Sequence, residues 1–278
     1  MAESMISHPG PCPLVDQKDR VFGVLAGRPR DEDAWGEIQR QLLTGGKHPE
    51  HRRGTYATVT AGISYGGGQT CPANFTHSGK EQSVVERLLS NDAVRRIAGF
   101  GDSCLKLFAP QLHAYYGTTL KTLQKSNRDL RRNFEDNVFA AATFNLGPRV
   151  VTVVHTDHMN IPAGWCAITA ICNYDPQNGG HLLLWDLKLM IEFPQGALIL
   201  IPSAILSHSN TNIGANESRY SFTQYSAGGL FCWVACGCMS QKNFFRDGQT
   251  YSVAGKDRWQ QGLTMFSTLE EFRARCTP

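Results

Sequence analysis

With 278 residues, 41% of them hydrophobic and 18% charged, the chain holds enough apolar material for one large core, and its formal charge of +3 neither establishes nor excludes a nucleic-acid partner. No stretch approaches the roughly 18 apolar residues of a membrane span, so no membrane association is expected, and the first residues lack the apolar core of a secretory signal. Nine cysteines, an odd number and without such a signal, point to reduced thiols inside a cell.

The chain opens irregularly, then shows a helical pattern around Trp35 to Leu43 and a polar, basic loop from Lys47 to Arg53. Thr55 to Ala61 alternates like a strand and runs into Gly66-Gly67-Gly68. That triple glycine lacks the Lys-Ser/Thr of a phosphate loop, so a tight turn with close backbone approach is expected. Between residue 82 and about 132, Val84, Val85, Leu88, Leu89, Leu120, Leu123 and Leu130 recur at helical spacing, with Pro110 dividing the region. Lys121, Lys125, Arg128, Arg131 and Arg132 decorate its last part, where a solvated face is expected in preference to a stripe for a DNA backbone.

From Phe139 onward short β-rich runs follow one another: Val150–His155, Trp165–Cys172, His181–Trp185, Ala197–Ile201, Ser218–Tyr225 and Leu230–Cys236. Turn residues separate them, as in Asn173 to Gly180 and Phe193 to Gly196. Many short strands at this spacing indicate a β-sandwich or barrel. Cys232, Cys236 and Cys238 invite a zinc reading, yet no nearby His or Cys completes a finger spacing, and buried or free thiols are expected. The tail after Lys242 is polar, with a closing helix near Leu269–Arg275.

The chemistry sits in Val153-Val154-His155-Thr156-Asp157. On a strand, residues two apart share a face, so His155 and Asp157 point the same way. His208 follows the apolar run Ala197–Ile201 and can be brought beside them by a neighbouring strand. Two imidazoles and one carboxylate on one face of an octahedron form the facial triad of non-haem Fe(II) oxygenases, leaving positions for a bidentate 2-oxo acid and O2. A lone His-x-Asp is a weak signal. Arg219 strengthens it, because Arg219, Ser221, Thr223 and Tyr225 alternate along one strand and share a face. An arginine inside a barrel needs an anion, and a carboxylate accepts its fork in bidentate fashion. This order of residues is that of a 2-oxoglutarate site in a double-stranded β-helix. The expected fold is therefore α+β, with a jelly-roll, cupin-like core over 136–240. A mostly helical flank and Gly-rich loop over 1–135 and a tail over 241–278 complete a single domain.

Across most of its length the sequence also resembles the TET/JBP group of nucleic-acid dioxygenases, especially the basidiomycete fungal branch. The similar stretches run from Ala61-Gly62-Ile63-Ser64-Tyr65-Gly66-Gly67-Gly68-Gln69 to about Val234. They include Phe144-Asn145-Leu146-Gly147-Pro148, Gly180-His181-Leu182-Leu183-Leu184-Trp185, Ile201-Pro202-Ser203-Ala204 and Arg219-Tyr220-Ser221-Phe222-Thr223-Gln224-Tyr225. The resemblance implies that His155, Asp157 and His208 bind iron, and that Arg219 and Ser221 hold the distal carboxylate of 2-oxoglutarate. It implies that His181 contacts the other end of that co-substrate, that Asn160 touches a flipped base and that Tyr225 stacks on it. It also implies an intracellular, nuclear protein acting on methylated DNA, with Fe(II), 2-oxoglutarate and O2. Where the family has a second base-contacting histidine, this chain has Ala227. The expected reaction is oxidation of 5-methylcytosine. N6-methyladenine demethylation, hydroxylation of RNA, protein or a small molecule, and a cupin-like barrel without turnover stand as alternatives.

Overall fold

The computed structural model describes residues 4–6, 10–29, 37 and 50–276. The helical pattern at Trp35 to Leu43 lies outside these residues, apart from residue 37. Where an irregular start is expected, the described N-terminal residues supply β1 (Ser4–Ile6), β2 (Cys12–Val15) and β3 (Val21–Gly27). The last of these is an apolar run of strand length, and Val21 and Val24 are fully buried. A small hairpin follows, β4 (Glu50–His51) and β5 (Gly54–Thr55), and then β6 (Ala57–Ser64) and β7 (Ala73–Asn74). The segment expected as a helical flank thus contributes four strands to the large sheet described below.

Three helices come next: α1 (Gly79–Ser90), α2 (Asp92–Phe108) and α3 (Pro110–Ser126). Ser78 and Glu81 form a capping box at α1, and the Asn91 side chain accepts from the backbone N–H groups of Ala93 and Val94 to start α2. Pro110 stands in the first turn of α3, where its missing N–H costs nothing. Of the five basic residues noted in this region, only Lys121 and Lys125 lie on α3, which ends at Ser126. Arg132 donates to Gln124 Oε1 at 2.8 Å, so it fastens the chain after the helix back onto it.

The remaining strands are β8 (Ala141–Leu146), β9 (Cys166–Asn173), β10 (Leu182–Leu184), β11 (Leu189–Ile191), β12 (Leu198–Ile201), β13 (His208–Asn210) and β14 (Ser218–Tyr225). Eight strands form one sheet in the order β2-β3-β12-β9-β14-β8-β6-β7, and four form another in the order β1-β11-β10-β13. On β14, Tyr220 and Phe222 pack with Val94, Ile97 and Ala98 of α2, so this face of the large sheet is covered by helices. The opposite face meets the small sheet: Ile168, Ala170, Ile199 and Ile201 share a core with Leu182, Leu184 and Ile191. Burying each of these isoleucine and leucine side chains stabilises the fold by about 1.5–3 kcal/mol. By alternation, Arg219, Ser221, Thr223 and Tyr225 are then directed to the face between the sheets.

Two expected strands take other forms. Residues 150–155 are loop, joined to the sheets by single bridges of Arg149 to Arg219 and of His155 to His208. Leu230–Cys236 falls on α4 (Gly228–Ala235), a helix whose all-apolar sequence carries no period that separates helix from strand. Three more helices follow, α5 (Gln241–Arg246), α6 (Gly255–Thr264) and α7 (Leu269–Cys276), the last at the expected closing position. No helix among the described residues is long and apolar enough to cross a membrane.

Candidate active site

His155, in the loop, and His208, on β13, form an isolated antiparallel bridge: each backbone N–H donates to the other's carbonyl, at 3.1 and 2.9 Å. Their rings lie 4.3 Å apart, centroid to centroid. In each ring Nδ1 bonds a carbonyl two residues back, Val153 at 2.7 Å and Leu206 at 2.9 Å. As a donor to that carbonyl, Nδ1 carries the proton, and the Nε2 lone pair is left for a ligand. Asp157 is placed by its own backbone N–H, which donates to the Ser203 carbonyl at 2.8 Å. Its carboxylate oxygens stand 3.9 Å from His155 Nε2 and 3.8 Å from His208 Nε2.

Among the described residues, these three are the one group of His, Cys, Asp or Glu side chains whose donor atoms converge, all within 4.8 Å of one another. Two imidazoles and one carboxylate are a donor set that fits Fe(II) and leaves half an octahedron open. The fit extends to charge. Burial and the neighbouring His208 push the His155 imidazole down to about 4, so it is neutral, as a metal ligand must be, at any pH near 7. Cys232, Cys236 and Cys238 do not form a metal group; the thiols of Cys232 and Cys236 instead contact the Tyr251 hydroxyl, at 3.1 and 3.4 Å.

Arg219 is 3% exposed. Its Nη1 donates to the Val150 carbonyl at 3.2 Å, while its Nε has no hydrogen-bond partner. A buried guanidinium left partly unpaired is costly, and a carboxylate would satisfy it. Beside it, Asn145 Nδ2 donates to Ser221 Oγ at 2.7 Å, which turns the serine's own proton toward another acceptor. His181 is 8% exposed; its Nδ1 contacts Thr211 Oγ1 at 3.2 Å and its Nε2 has no partner. Two of the three residues expected to hold a 2-oxo diacid thus carry an unsatisfied buried nitrogen.

A cavity of about 140 Å³ opens at Asp157. Arg53, Thr143, Asn160, Thr223 and Tyr225 line it with Asp157. Tyr225 shares a hydrogen bond with Thr143, and burial pushes its phenol above the usual range. Asn160 is fixed by donation from its Nδ2 to Cys166 Sγ at 3.1 Å and by a backbone bridge to Ala227. The structure therefore brings Asn160 and Tyr225 to one cavity beside the triad, as the spacing along β14 suggests for the tyrosine.

Arg52 and Arg53, which in sequence belong to a polar, basic loop, also reach the site. They form the tip of the β4–β5 hairpin, and their guanidinium groups reach to 3.9 and 3.8 Å of Asp157 Oδ1. Arg52 Nη1 also donates to the Thr156 carbonyl at 3.2 Å. Nothing in the local sequence signals this, since more than a hundred residues separate the hairpin from the triad segment. Gly66, Gly67 and Gly68 all take positive φ angles, as a tight turn requires, and Gly66 lies against Met159 next to the cavity.

The fold is similar to that of NgTET1 in complex with 5mC DNA, with a TM-score of 0.59 at 13% identity over 84% of this chain and 82% of that one. Weaker likenesses are to an oxidoreductase of the 2OG-Fe(II) oxygenase family from Burkholderia pseudomallei (TM-score 0.40, 16% identity, 74% of this chain and 85% of that one) and to AviO1 from Streptomyces viridochromogenes (TM-score 0.36, 13% identity, 76% and 91%). No protein-family model and no curated protein matches the sequence. Fold and donor set are thus an NgTET1-like architecture and a group of two imidazoles and one carboxylate suited to Fe(II), with half an octahedron open. The likeness to NgTET1 extends over most of both chains.

Proposed function

We propose that this chain is an Fe(II)- and 2-oxoglutarate-dependent dioxygenase with a double-stranded β-helix core, and that it oxidises the methyl group of 5-methylcytosine in DNA. The observation that carries the oxygenase reading is the convergence of His155, Asp157 and His208 in a chain whose inner sheet face also holds a buried, partly unpaired Arg219. The DNA reading is supported by the likeness to NgTET1, whose structure holds 5mC DNA. When bound, Fe(II) and 2-oxoglutarate supply the oxidation, in which O2 places one oxygen atom in succinate, formed with CO2, and the other in the substrate C–H bond.

The chain's residues then divide the remaining work. Arg219 and Ser221 hold the distal carboxylate, and His181 contacts the other end of the co-substrate. A methylated base in a duplex must leave the stack to reach the cavity, which costs unstacking energy. Stacking on Tyr225 offsets part of that cost, at about 1–3 kcal/mol per base. Asn160 touches the same base from the cavity wall. Val153, Val154 and Met159 are large, apolar and exposed around the triad segment, where unstacked bases can cover them. In this reading the protein acts on methylated DNA, and the resemblance to the TET/JBP group implies that it does so in the nucleus.

A second reading has one observation behind it. Ala227 is buried and bridged to Asn160 by its backbone, so no side chain at that position selects cytosine. An N6-methyladenine duplex is therefore the comparison substrate. Protein, Fe(II), 2-oxoglutarate and O2 are incubated with duplexes carrying either base, and the nucleosides are read by mass spectrometry. Hydroxymethyl-, formyl- or carboxylcytosine is the expected product. Loss of N6-methyladenine alone would replace the substrate assignment, and succinate formation with neither change would remove the DNA assignment.

A further inference from the structure

We infer that Tyr56 completes the grip on the co-substrate: its hydroxyl donates a hydrogen bond to the carboxylate that Arg219 holds. The inference rests on the Fe(II)/2-oxoglutarate reading above and adds a residue to it.

Three observations lead there. First, Tyr56 is 1% exposed, and its hydroxyl has no hydrogen-bond partner. Leaving a buried hydroxyl unmade costs about 1–3 kcal/mol, so a phenol without use would be better replaced by phenylalanine. Second, the sheet register places it. Thr58 on β6, Asn145 on β8 and Ser221 on β14 form one cross-strand row. Both β6 and β14 run antiparallel to β8, so they run the same way as each other. Two residues before Ser221 comes Arg219, on β14, and two before Thr58 comes Tyr56, at the bend that leads into β6; the alternation continued through that bend directs both to the same inner face. The residue of β8's continuation at that level is Gly147, which brings no side chain between them. Third, burial above all pushes the Tyr56 phenol up from its usual range, and the charges of Arg53, Arg219, Asp157 and Arg52 all lie near enough to act on it.

The chemistry fits an anion held at Arg219. A phenol is a donor to a carboxylate, and O–H to carboxylate bonds are among the stronger ones. The Tyr56 ring is itself held: His51 meets it edge to face at 4.5 Å, so the hydroxyl direction is set before any ligand arrives. Ser221, already accepting from Asn145, supplies a second hydroxyl on the same face, one row further along. Arginine fork, serine and tyrosine together would satisfy both oxygens of one carboxylate.

The test compares wild type with Tyr56→Phe, each loaded with Fe(II) under anaerobic conditions, by calorimetric titration of 2-oxoglutarate and of 2-oxobutyrate. The second ligand keeps the metal-chelating end and lacks the distal carboxylate. The inference predicts that Tyr56→Phe binds 2-oxoglutarate at least about tenfold more weakly, or about 1.4 kcal/mol, with no change for 2-oxobutyrate. It also predicts an unchanged or higher Tm for the ligand-free variant, because the hydroxyl has no partner to lose. Equal 2-oxoglutarate affinity in both proteins overturns the inference. So does an equal loss for both ligands, or a lowered ligand-free Tm, since either assigns Tyr56 a structural role. A wild-type protein that binds no 2-oxoglutarate overturns the co-substrate reading itself, which is a separate result.

Discussion

Asp157 is the one anion among four nitrogen-bearing neighbours, His155, His208, Arg52 and Arg53. Asp157→Ala should abolish Fe(II) binding and turnover while circular dichroism stays unchanged; a variant that still retains stoichiometric iron after gel filtration would remove the triad assignment. Arg219→Met keeps most of the volume and deletes the fork. Removing one partner of a buried charge pair typically costs 2–5 kcal/mol, so 2-oxoglutarate binding should weaken by about that amount, measured by calorimetry. The ligand-free protein should lose little stability, because the guanidinium it loses is already partly unpaired. The sign for His155 is equally definite. Its pKa in the fold is pushed to about 4, below the 6.5 of an unfolded chain. Between those values the unfolded state binds more protons, so stability of the metal-free protein rises with pH there and falls as pH drops from about 6.5 to about 4. His155→Gln should flatten that part of the Tm-against-pH curve.

At the scale of elements, the β4–β5 hairpin decides where Arg52 and Arg53 stand. Gly54 has φ +146, and a Cβ there would meet the Val151 carbonyl at 2.5 Å and the Tyr56 ring at 2.9 Å. Gly54→Ala should therefore shift the hairpin away from Asp157 and weaken 2-oxoglutarate binding together with Tm; an unchanged affinity would show that the hairpin does not shape the site. On the other side of the large sheet, Asp102 of α2 accepts from the Val138 N–H at 2.8 Å and pairs with His113 of α3 at 3.0 Å. Asp102→Ala leaves that N–H buried and unmade, costing about 1–3 kcal/mol in denaturant unfolding, with iron binding retained. Such elements differ in how far the sequence reveals them. β14 is legible to the residue, because polar Arg219, Ser221 and Thr223 alternate with Tyr220 and Phe222 between two faces that need opposite chemistry. The helix Gly228–Ala235 is not, because an unbroken apolar run has no period to read. Residues 150–155 look like a strand by composition, yet bridges form only at Arg149, just before them, and at His155, while Thr152 and Val153 in between hydrogen-bond to Asn210 and Arg53.

At the scale of the whole molecule, helices cover one face of the large sheet and the small sheet covers the other, with the triad at the join. His155 and Asp157 are legible because they are neighbours in sequence, and Arg219 because a buried arginine demands an anion. Tyr56, Arg52 and Arg53 are not legible, because only the long-range pairing of β6 with β8 and of residue 153 with residue 53 brings them near. Non-local pairing of this kind leaves no local pattern. The most direct test of the account is an anaerobic titration of Fe(II), then 2-oxoglutarate, into the full chain, with Asp157→Ala and Arg219→Met as controls. The account predicts one Fe(II) per chain, tight 2-oxoglutarate binding only once the metal is present, loss of both steps in Asp157→Ala and loss of the second alone in Arg219→Met. A wild-type chain that binds no Fe(II), or an Asp157→Ala chain that binds it equally well, would contradict the central claim.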